Sequence, residues 1–546
     1  MKFLFVISGP VGVGKSEFCK EFRYRFGAVR LSTREILTDR GVPDDRGALQ
    51  AAGEQLDRET DGKWVTDSVV GRVGGLSQDA VLLVDSARIR QQIEHLRRAY
   101  GQNVFHVHLT ASIEILRERY LKRERKLREF DAYDELRTNT TEANIEQLGA
   151  IADVRIVTDR CEPRSILALA VAGRGLYPSE PERLVDVIVG AQYGSEGKGN
   201  ICSYLAADYD VLVRVGGPNA GHWASVPKAI KYVQIPSGTA ANPNAKILIG
   251  AGATIRVAQI LKEIEENRLT PDRLSIDPNA MLIEDDDLKF EQGGLEVIGS
   301  TKQGVGAATA RKILGRDGNQ HLGSTVRLCR EAIELKDFVR SVGVELENAY
   351  TDGRRILLEG TQGTDLSLHH AAYSLPDQYY PNVTSRETTV SGCLADAGIS
   401  PLRVRRVVIV ARSYPIRVGG TSGPMGREID FETVSQRSGL PVSEIAGTEV
   451  GTISGKTRRI AEFDWEQLRR SAVINGATDV ALTFADYLSS ENRAARRFEQ
   501  LSTETQDFIA GMERVANAPV SLISTRFVRD EDAADRRGII DRKSWR

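Results

Sequence analysis

Two glycine loops, each carrying a lysine, hold the residues best suited to chemistry. The first, "GPVGVGKS" at 9–16, fits the spacing G-x-x-x-x-G-K-[ST] through Gly9, Gly14, Lys15 and Ser16, with Gly12 between. Glycines at that spacing let backbone N–H groups wrap a phosphate. The lysine neutralises β- and γ-phosphate charge, and the following hydroxyl can ligate Mg²⁺. The second, "GAQYGSEGKG" at 190–199, sets Gly194, Gly197 and Gly199 around Ser195, Glu196 and Lys198. It offers another anion cradle at a helix start. "PNAGH" follows at 218–222 and puts Asn219, Gly221 and His222 on a tight turn.

The elements that must position these loops are legible from apolar runs. "KFLFVIS" (2–8) reads as a strand buried on both faces, running into the first loop and a helix near 16–26. Strands at 80–85 and 104–110 alternate with charged helical stretches at 87–100 and 112–129, then comes "VRIVTD" at 154–159 and a helix at 163–172. This alternation predicts a doubly wound α/β domain. "GRGLYPSEPERL" (173–184) is rich in Gly, Pro and charge and reads as the boundary. A second set of strands then starts with "VDVIVG" (185–190) and continues at 211–216, 246–251, 355–360, 406–411 and 479–484. The expected domains are residues 1–175 and 184–546.

Composition narrows the classes. At 546 residues the chain is too long for one ordinary domain. The formal net charge of −2 gives no electrostatic case for nucleic acid or membrane binding. Cys19, Cys161, Cys202, Cys329 and Cys393 form no C-x-x-C pair, which argues against zinc and a disulfide framework and fits a reducing cytoplasm. "MKFLFVIS" is too short for a secretory signal, and no stretch reaches the roughly 18 apolar residues that span a bilayer.

The first half, over residues 1–172, resembles P-loop nucleoside monophosphate kinases through its loop, "LSTREIL" (31–37), "RGALQAAGEQL" (46–56) and the strand ending in Asp85. The resemblance implies phosphoryl transfer to a (deoxy)nucleoside monophosphate, with Arg34 contacting the acceptor phosphate. Asp85 reads either as a metal-side carboxylate or as a cap on the next helix. The basic run 117–128 reads as a lid or as a solvated helix face.

The second half carries "GAQYGSEGKG", "RVGGPNAGHW", "IGSTKQGVGA", "LEGTQGTDLSL", "YYPNVTSRETT", "PIRVGGTSGP" and "VGTISGKTRR" in order. Together they resemble the adenylosuccinate synthetase family over residues 184–526. That family joins L-aspartate to the 6-oxo position of a purine nucleotide with hydrolysis of a nucleoside triphosphate. The fold implied is α/β: two P-loop-type domains, an N-terminal kinase-like parallel sheet and a C-terminal mixed sheet. By the resemblance, Lys198 with Gly194, Glu196, Gly197 and Gly199 holds the donor phosphates, and Asp486 pairs with the donor base. His222 stabilises the transferring phosphoryl group. Ser195 and the Gly221 carbonyl, and Ser16 in the first loop, face Mg²⁺. Asn219, Thr301, Gln362, Thr384 and Val418 contact the acceptor nucleotide. Thr452, Ser454 and Arg458 receive the aspartate. A homodimer with shared active sites is implied, with Arg311 or Arg316 reaching across.

Three departures sharpen the expectation. Ser195 stands where the family has Asp, and serine is no base at neutral pH. A small neutral residue beside purine N1 leaves room for a 2-amino group, as in phage-type relatives that use dGMP. The family's guanine-reading Thr-Lys-x-Asp is here "TFAD" (483–486), so ATP or dATP competes with GTP as donor. Lys456-Thr457 replaces an arginine-rich stretch beside the ribose, which favours a deoxynucleotide. The expected function is a ligase joining aspartate to dGMP, with a kinase-like N-terminal domain. The alternatives are an ordinary IMP-dependent synthetase and a nucleotide sensor without turnover.

Overall fold

An uninterrupted apolar strand must be covered on both faces, and the first unit is built that way. The computed structural model describes residues 2–122, 133, 140–177, 181–225, 229–294, 298–372, 382–451, 455–526 and 538–543. The chain divides into two compact units, Met1–Ser179 and Glu180–Arg546.

In the first unit, β1 (Phe3–Ser8), β2 (Val29–Ser32), β3 (Val81–Asp85), β4 (Val104–Thr110) and β5 (Val154–Val157) form one sheet in the order β2-β3-β1-β4-β5. Every pairing is parallel. Side chains alternate across the sheet, so Phe5 and Ile7 join one core while Leu4 and Val6 join the other. Phe5 anchors the first core against Phe22 and Phe105, with ring centroids 4.8 and 5.5 Å away.

The second unit begins with β6 (Val185–Gly190), β7 (Val211–Arg214), the hairpin β8 (His222–Ala224) and β9 (Ile230–Tyr232), β10 (Lys246–Ile249) and β11 (Thr254–Ile255). β12 (Leu274–Ile276), β13 (Met281–Leu282), β14 (Ile356–Gly363), β15 (Val404–Arg412) and β16 (Ile416–Val418) follow. β17 (Glu428–Ile429), β18 (Arg458–Ala461), β19 (Asp479–Thr483), β20 (Val520–Ser524) and β21 (Ile539–Asp541) complete it. Nine of these form the main sheet, β12-β10-β7-β14-β6-β15-β19-β20-β21. It is parallel except at β20–β21, so the expected mixed sheet is present. Its two faces are again separate cores: Val187 and Val213 on one side, Ile188 and Leu212 on the other. Among the described residues no helix is long and apolar enough to cross a membrane.

Candidate functional site

In the first unit the loop leaves the end of β1, and Gly9, Gly12 and Gly14 take φ of 144°, 87° and 99°. A Cβ on Gly9 would lie 2.3 Å from the Leu109 carbonyl, so glycine there is a packing requirement as well. The helix Lys15–Phe26 starts directly after Gly14, with Ser16 exposed at its first turn. Lys15 Nζ donates to the carbonyls of Gly9 and Pro10 at 2.5 and 2.9 Å, spanning the loop. Thr158 Oγ1 donates to Val13 O at 3.1 Å, and Arg119 donates to Thr158 at 2.9 and 3.1 Å. Arg119, from the basic run, is thus a brace beneath the loop. Residues 123–128 of that run lie outside the described residues.

Asp85 caps no helix. It accepts from Arg30 Nε and Nη2 at 3.0 and 2.7 Å. Arg34 is tied on the surface to Asp44 at 2.6 and 2.8 Å. Just before the loop, buried Ser8 bridges His106 Nε2 and His108 Nδ1 at 2.7 and 2.8 Å. Burial, mainly, pushes both imidazoles down to about 4.

In the second unit the loop leaves β6, with Gly194 and Gly197 at φ 96° and 85°, and enters the helix Lys198–Leu205. Glu196 is buried inside its own loop. Oε1 accepts from Gln192 N and Gly194 N at 3.0 and 2.7 Å, and Oε2 receives Lys198 Nζ at 2.7 Å. Gly190 and Gly363 make that room, since a Cβ on either would come within 2.5 Å of the carboxylate. Gly199 is required for a different reason. Its Cβ would lie 2.6 Å from Trp223 O and 2.9 Å from His222 Cβ, so the helix start packs on the β8 hairpin.

His222 is held by a buried network that sequence reading passed over. Its Nδ1 contacts Glu359 Oε1 and lies 3.0 Å from Arg214 Nη1. Glu359 also accepts from Arg214 at 2.7 Å and from Ser237 N and Oγ at 2.7 and 2.5 Å. His222 Nε2 is buried and has no partner among the described residues. Burial first, then the Arg214 charge, lowers His222 to about 4. Burial opposes ionisation of Glu359, but Arg214, His222 and Ser237 outweigh it and hold the acid at about 2.

One cavity gathers most of the expected residues. Gly194, Ser195, Asn219, Gly221, Thr301, Gln362, Thr384, Val418 and Arg458 all line it. Gln362 Nε2 donates to Thr384 Oγ1 at 2.5 Å, and Asn219 Nδ2 approaches the same oxygen at 3.4 Å. The opposite atoms, Gln362 Oε1 and Asn219 Oδ1, are buried and have no partner among the described residues. Buried polar atoms seldom go without a hydrogen-bond partner, so both are open to a ligand or to water. Arg417, next to Val418, also lines the cavity; it sits 4.6 Å over the Tyr193 ring, and burial lowers it to about 10. Thr452 and Ser454 lie outside the described residues.

Asp486 is not on this cavity. It follows β19, whose Thr483 Oγ1 donates to Glu196 O at 2.6 Å. Asp486 is 1% exposed, and burial, against Arg493, raises it to about 6. Phe484 does not present a ring to solvent. It is buried with the Arg412 guanidinium 3.8 Å above it and Tyr487 beside it. Arg412 and Tyr487 both bond Glu449, at 2.5 and 2.9 Å, and Arg458 reaches the same acid at 3.4 Å. Arg311 is fully buried on Asp287 at 2.9 Å and cannot reach a partner; Arg316 is exposed, with Nε on Ile313 O at 2.7 Å. Among the described residues no group of three or more His, Cys, Asp or Glu could hold a metal. Ser195 and Gly221, the residues of this unit expected to face Mg²⁺, both line the cavity; one hydroxyl and one carbonyl are a thin donor set, which suits a cation whose remaining ligands are phosphate and water.

Comparison with known proteins was made against this geometry. The family model described as adenylosuccinate synthetase matches residues 187–322 and 322–493, and one described as an AAA domain matches 6–144. The adenylosuccinate synthetase of Methanocaldococcus jannaschii is 36% identical over 350 residues, 62% of this chain and 93% of that protein. That of Archaeoglobus fulgidus is 34% identical over 346 residues, 62% and 94% of the two chains. Fully ligated adenylosuccinate synthetase from Plasmodium falciparum shares the fold, with TM-score 0.55 and 22% identity over 66% of this chain and 100% of that one. A cyanophage S-2L succinoaminodeoxyadenylate synthetase, bound to dGMP and dATP as an energy donor, aligns with TM-score 0.53 and 28% identity over 66% of this chain and 95% of that one.

Proposed function

The chain belongs to the adenylosuccinate synthetase family, a C–N ligase joining aspartate to a purine nucleotide and carrying a kinase-like domain, and from that premise we propose that its purine substrate is dGMP. The observation that carries the reading is Ser195. It lines the cavity together with Gly194, Asn219 and Gly221, where its short side chain leaves room for a 2-amino purine edge that a longer carboxylate would crowd. A neutral hydroxyl removes both the bulk and the base. The resemblance to an enzyme bound to dGMP supports it.

In this reading the donor γ-phosphoryl passes to purine O6 as the N1 proton is lost to solvent, and the aspartate amine, losing a proton in turn, then displaces phosphate. Lys198 and the loop amides hold the donor phosphates, exchanging Glu196 for them. His222 offers Nε2 to the transferring phosphoryl, with its ring fixed by Glu359 and Arg214. This role needs the ring's proton on Nε2, with Nδ1 accepting from Arg214 Nη1, and a preorganised donor of this kind is worth most where charge develops. Mg²⁺ would be held by the Ser195 hydroxyl and the Gly221 carbonyl, and would supply charge neutralisation at the phosphates. Asn219, Thr301, Gln362, Thr384 and Val418 fix the acceptor, and Arg458, with Thr452 and Ser454, takes the aspartate carboxylates. A homodimer brings exposed Arg316 to a neighbouring site. In the first unit, Gly9, Gly12, Gly14, Lys15 and Ser16 hold a donor triphosphate for transfer to a nucleoside monophosphate.

The test offers IMP, GMP, dIMP and dGMP separately, with aspartate, Mg²⁺ and ATP or GTP, and reads products by mass. The expected result is a succino adduct formed with dGMP at least tenfold faster than with IMP. Ser195→Asp is expected to reverse that order. Preference of the unmodified protein for IMP overturns the dGMP reading, and absence of phosphate release with every acceptor favours a sensor.

A further inference from the structure

The acid after β19 is approached from one side only. Arg493 Nε donates to Asp486 Oδ2 at 3.0 Å, and Arg493 Nη2 lies 3.0 Å from the same oxygen. The guanidinium is fixed from behind by Glu444, with Nη1 at 3.2 Å from Oε2 and Nη2 on Oε1. Two N–H groups converge on Oδ2, which has two lone pairs to give. Oδ1 is buried and has no partner among the described residues. The acid therefore presents one free acceptor.

From this we infer that Arg493, set by Glu444, selects an adenine-type donor base. The inference rests on the reading that Asp486 faces the base of the donor nucleotide. A guanine edge brings two adjacent donors, N1–H and the 2-amino group, and needs both carboxylate oxygens. With Oδ2 spent on Arg493, one of those donors would be buried without a partner, which costs more than a missing bond. An adenine edge brings a single amino group, which Oδ1 alone satisfies. Burial of Phe484 beneath Arg412 removes the other means of holding a guanine, a cation stacked on its face. Specificity here comes from an element that rejects the wrong base as well as one that accepts the right one.

The experiment compares ATP, dATP, GTP and dGTP as donors for the full chain, at fixed aspartate and whichever purine monophosphate is ligated, reading kcat/KM from phosphate release. The expected result is a preference of at least tenfold for the adenine donors. Arg493→Gln is expected to shift the adenine-to-guanine ratio at least tenfold toward guanine, chiefly through the guanine donor's KM, and Glu444→Gln to shift it part of the way. Thermal melting confirms that each variant folds; if Arg493→Gln does not, Arg493→Lys, which keeps one charge but loses the fork, is expected to give an intermediate shift. A guanine preference in the unmodified protein, or a ratio that no folded variant moves, overturns the inference. Asp486→Asn separates the two levels. If it leaves every donor unchanged, the placement of the base at Asp486 fails and the inference falls with it. If it alters donor use while Arg493 variants leave the ratio fixed, only the selector role fails.

Discussion

His222 is anchored through one ring nitrogen and has no partner at the other among the described residues, so Nε2 is the atom left for a ligand. Its partners are fully buried: Glu359 and Arg214 keep the ring in one orientation and leave no slack for a phosphoryl group to correct. An interaction formed chiefly in the transition state shows in kcat more than in KM. His222→Asn is therefore expected to lower kcat by about 10²-fold or more, with the KM of the purine monophosphate changed less than threefold. Steady-state kinetics check this; equal loss in both parameters would mean that the ring holds the ground state. The network's anchor was readable in principle. "RILLEG" (355–360) is an apolar strand with one acid in it, and an acid that must be buried needs cations. What the sequence could not show is which cation, because Arg214 and Glu359 are 145 residues apart.

At the scale of elements, the strands announced themselves. The runs at 2–8, 104–110 and 406–411 became β1, β4 and β15 because each is predominantly apolar and the sheets bury both faces. β2 and the β8–β9 hairpin were less legible. Four and three residues are too few to show a period, and their pairing depends on neighbours distant in sequence. The same limit hid the Ser8–His106–His108 cluster, where two strands place three polar side chains together beneath the nucleotide loop. Its consequence is a pH dependence. Both histidines go from an ordinary 6.5 to about 4 on folding, so between those values the unfolded chain binds more protons and stability rises with pH. Stability of the first unit is expected to be full above pH 6.5 and to fall by a total on the order of a few kcal/mol as the pH drops toward 4. Urea unfolding at several pH values checks it; His106→Gln should flatten the slope, and a slope unchanged in that variant would place the acid sensitivity elsewhere.

At the scale of the whole molecule, the two units have separate hydrophobic cores with no residue in common. On the proposed function, the two chemistries are expected to be removable one at a time. Lys15→Ala is expected to abolish phosphoryl transfer to a nucleoside monophosphate while leaving the aspartate adduct within twofold of normal. Lys198→Ala is expected to do the reverse, and the pair of assays on the two variants checks both. Loss of ligation in Lys15→Ala would show that one unit's chemistry depends on the other's bound nucleotide.

The carboxylate of Glu196 sits where a guest anion would be expected, on two loop amides and a lysine. Capture of a phosphate group by this loop would therefore be an exchange of one anion for another, the departing carboxylate offsetting part of the charge that enters. Such an exchange is less sensitive to ionic strength than filling an empty cationic nest. It also favours a guest that can outbid a tethered rival: a polyphosphate gripped at several points displaces Glu196, while stray inorganic phosphate, arriving alone, meets a seat already taken.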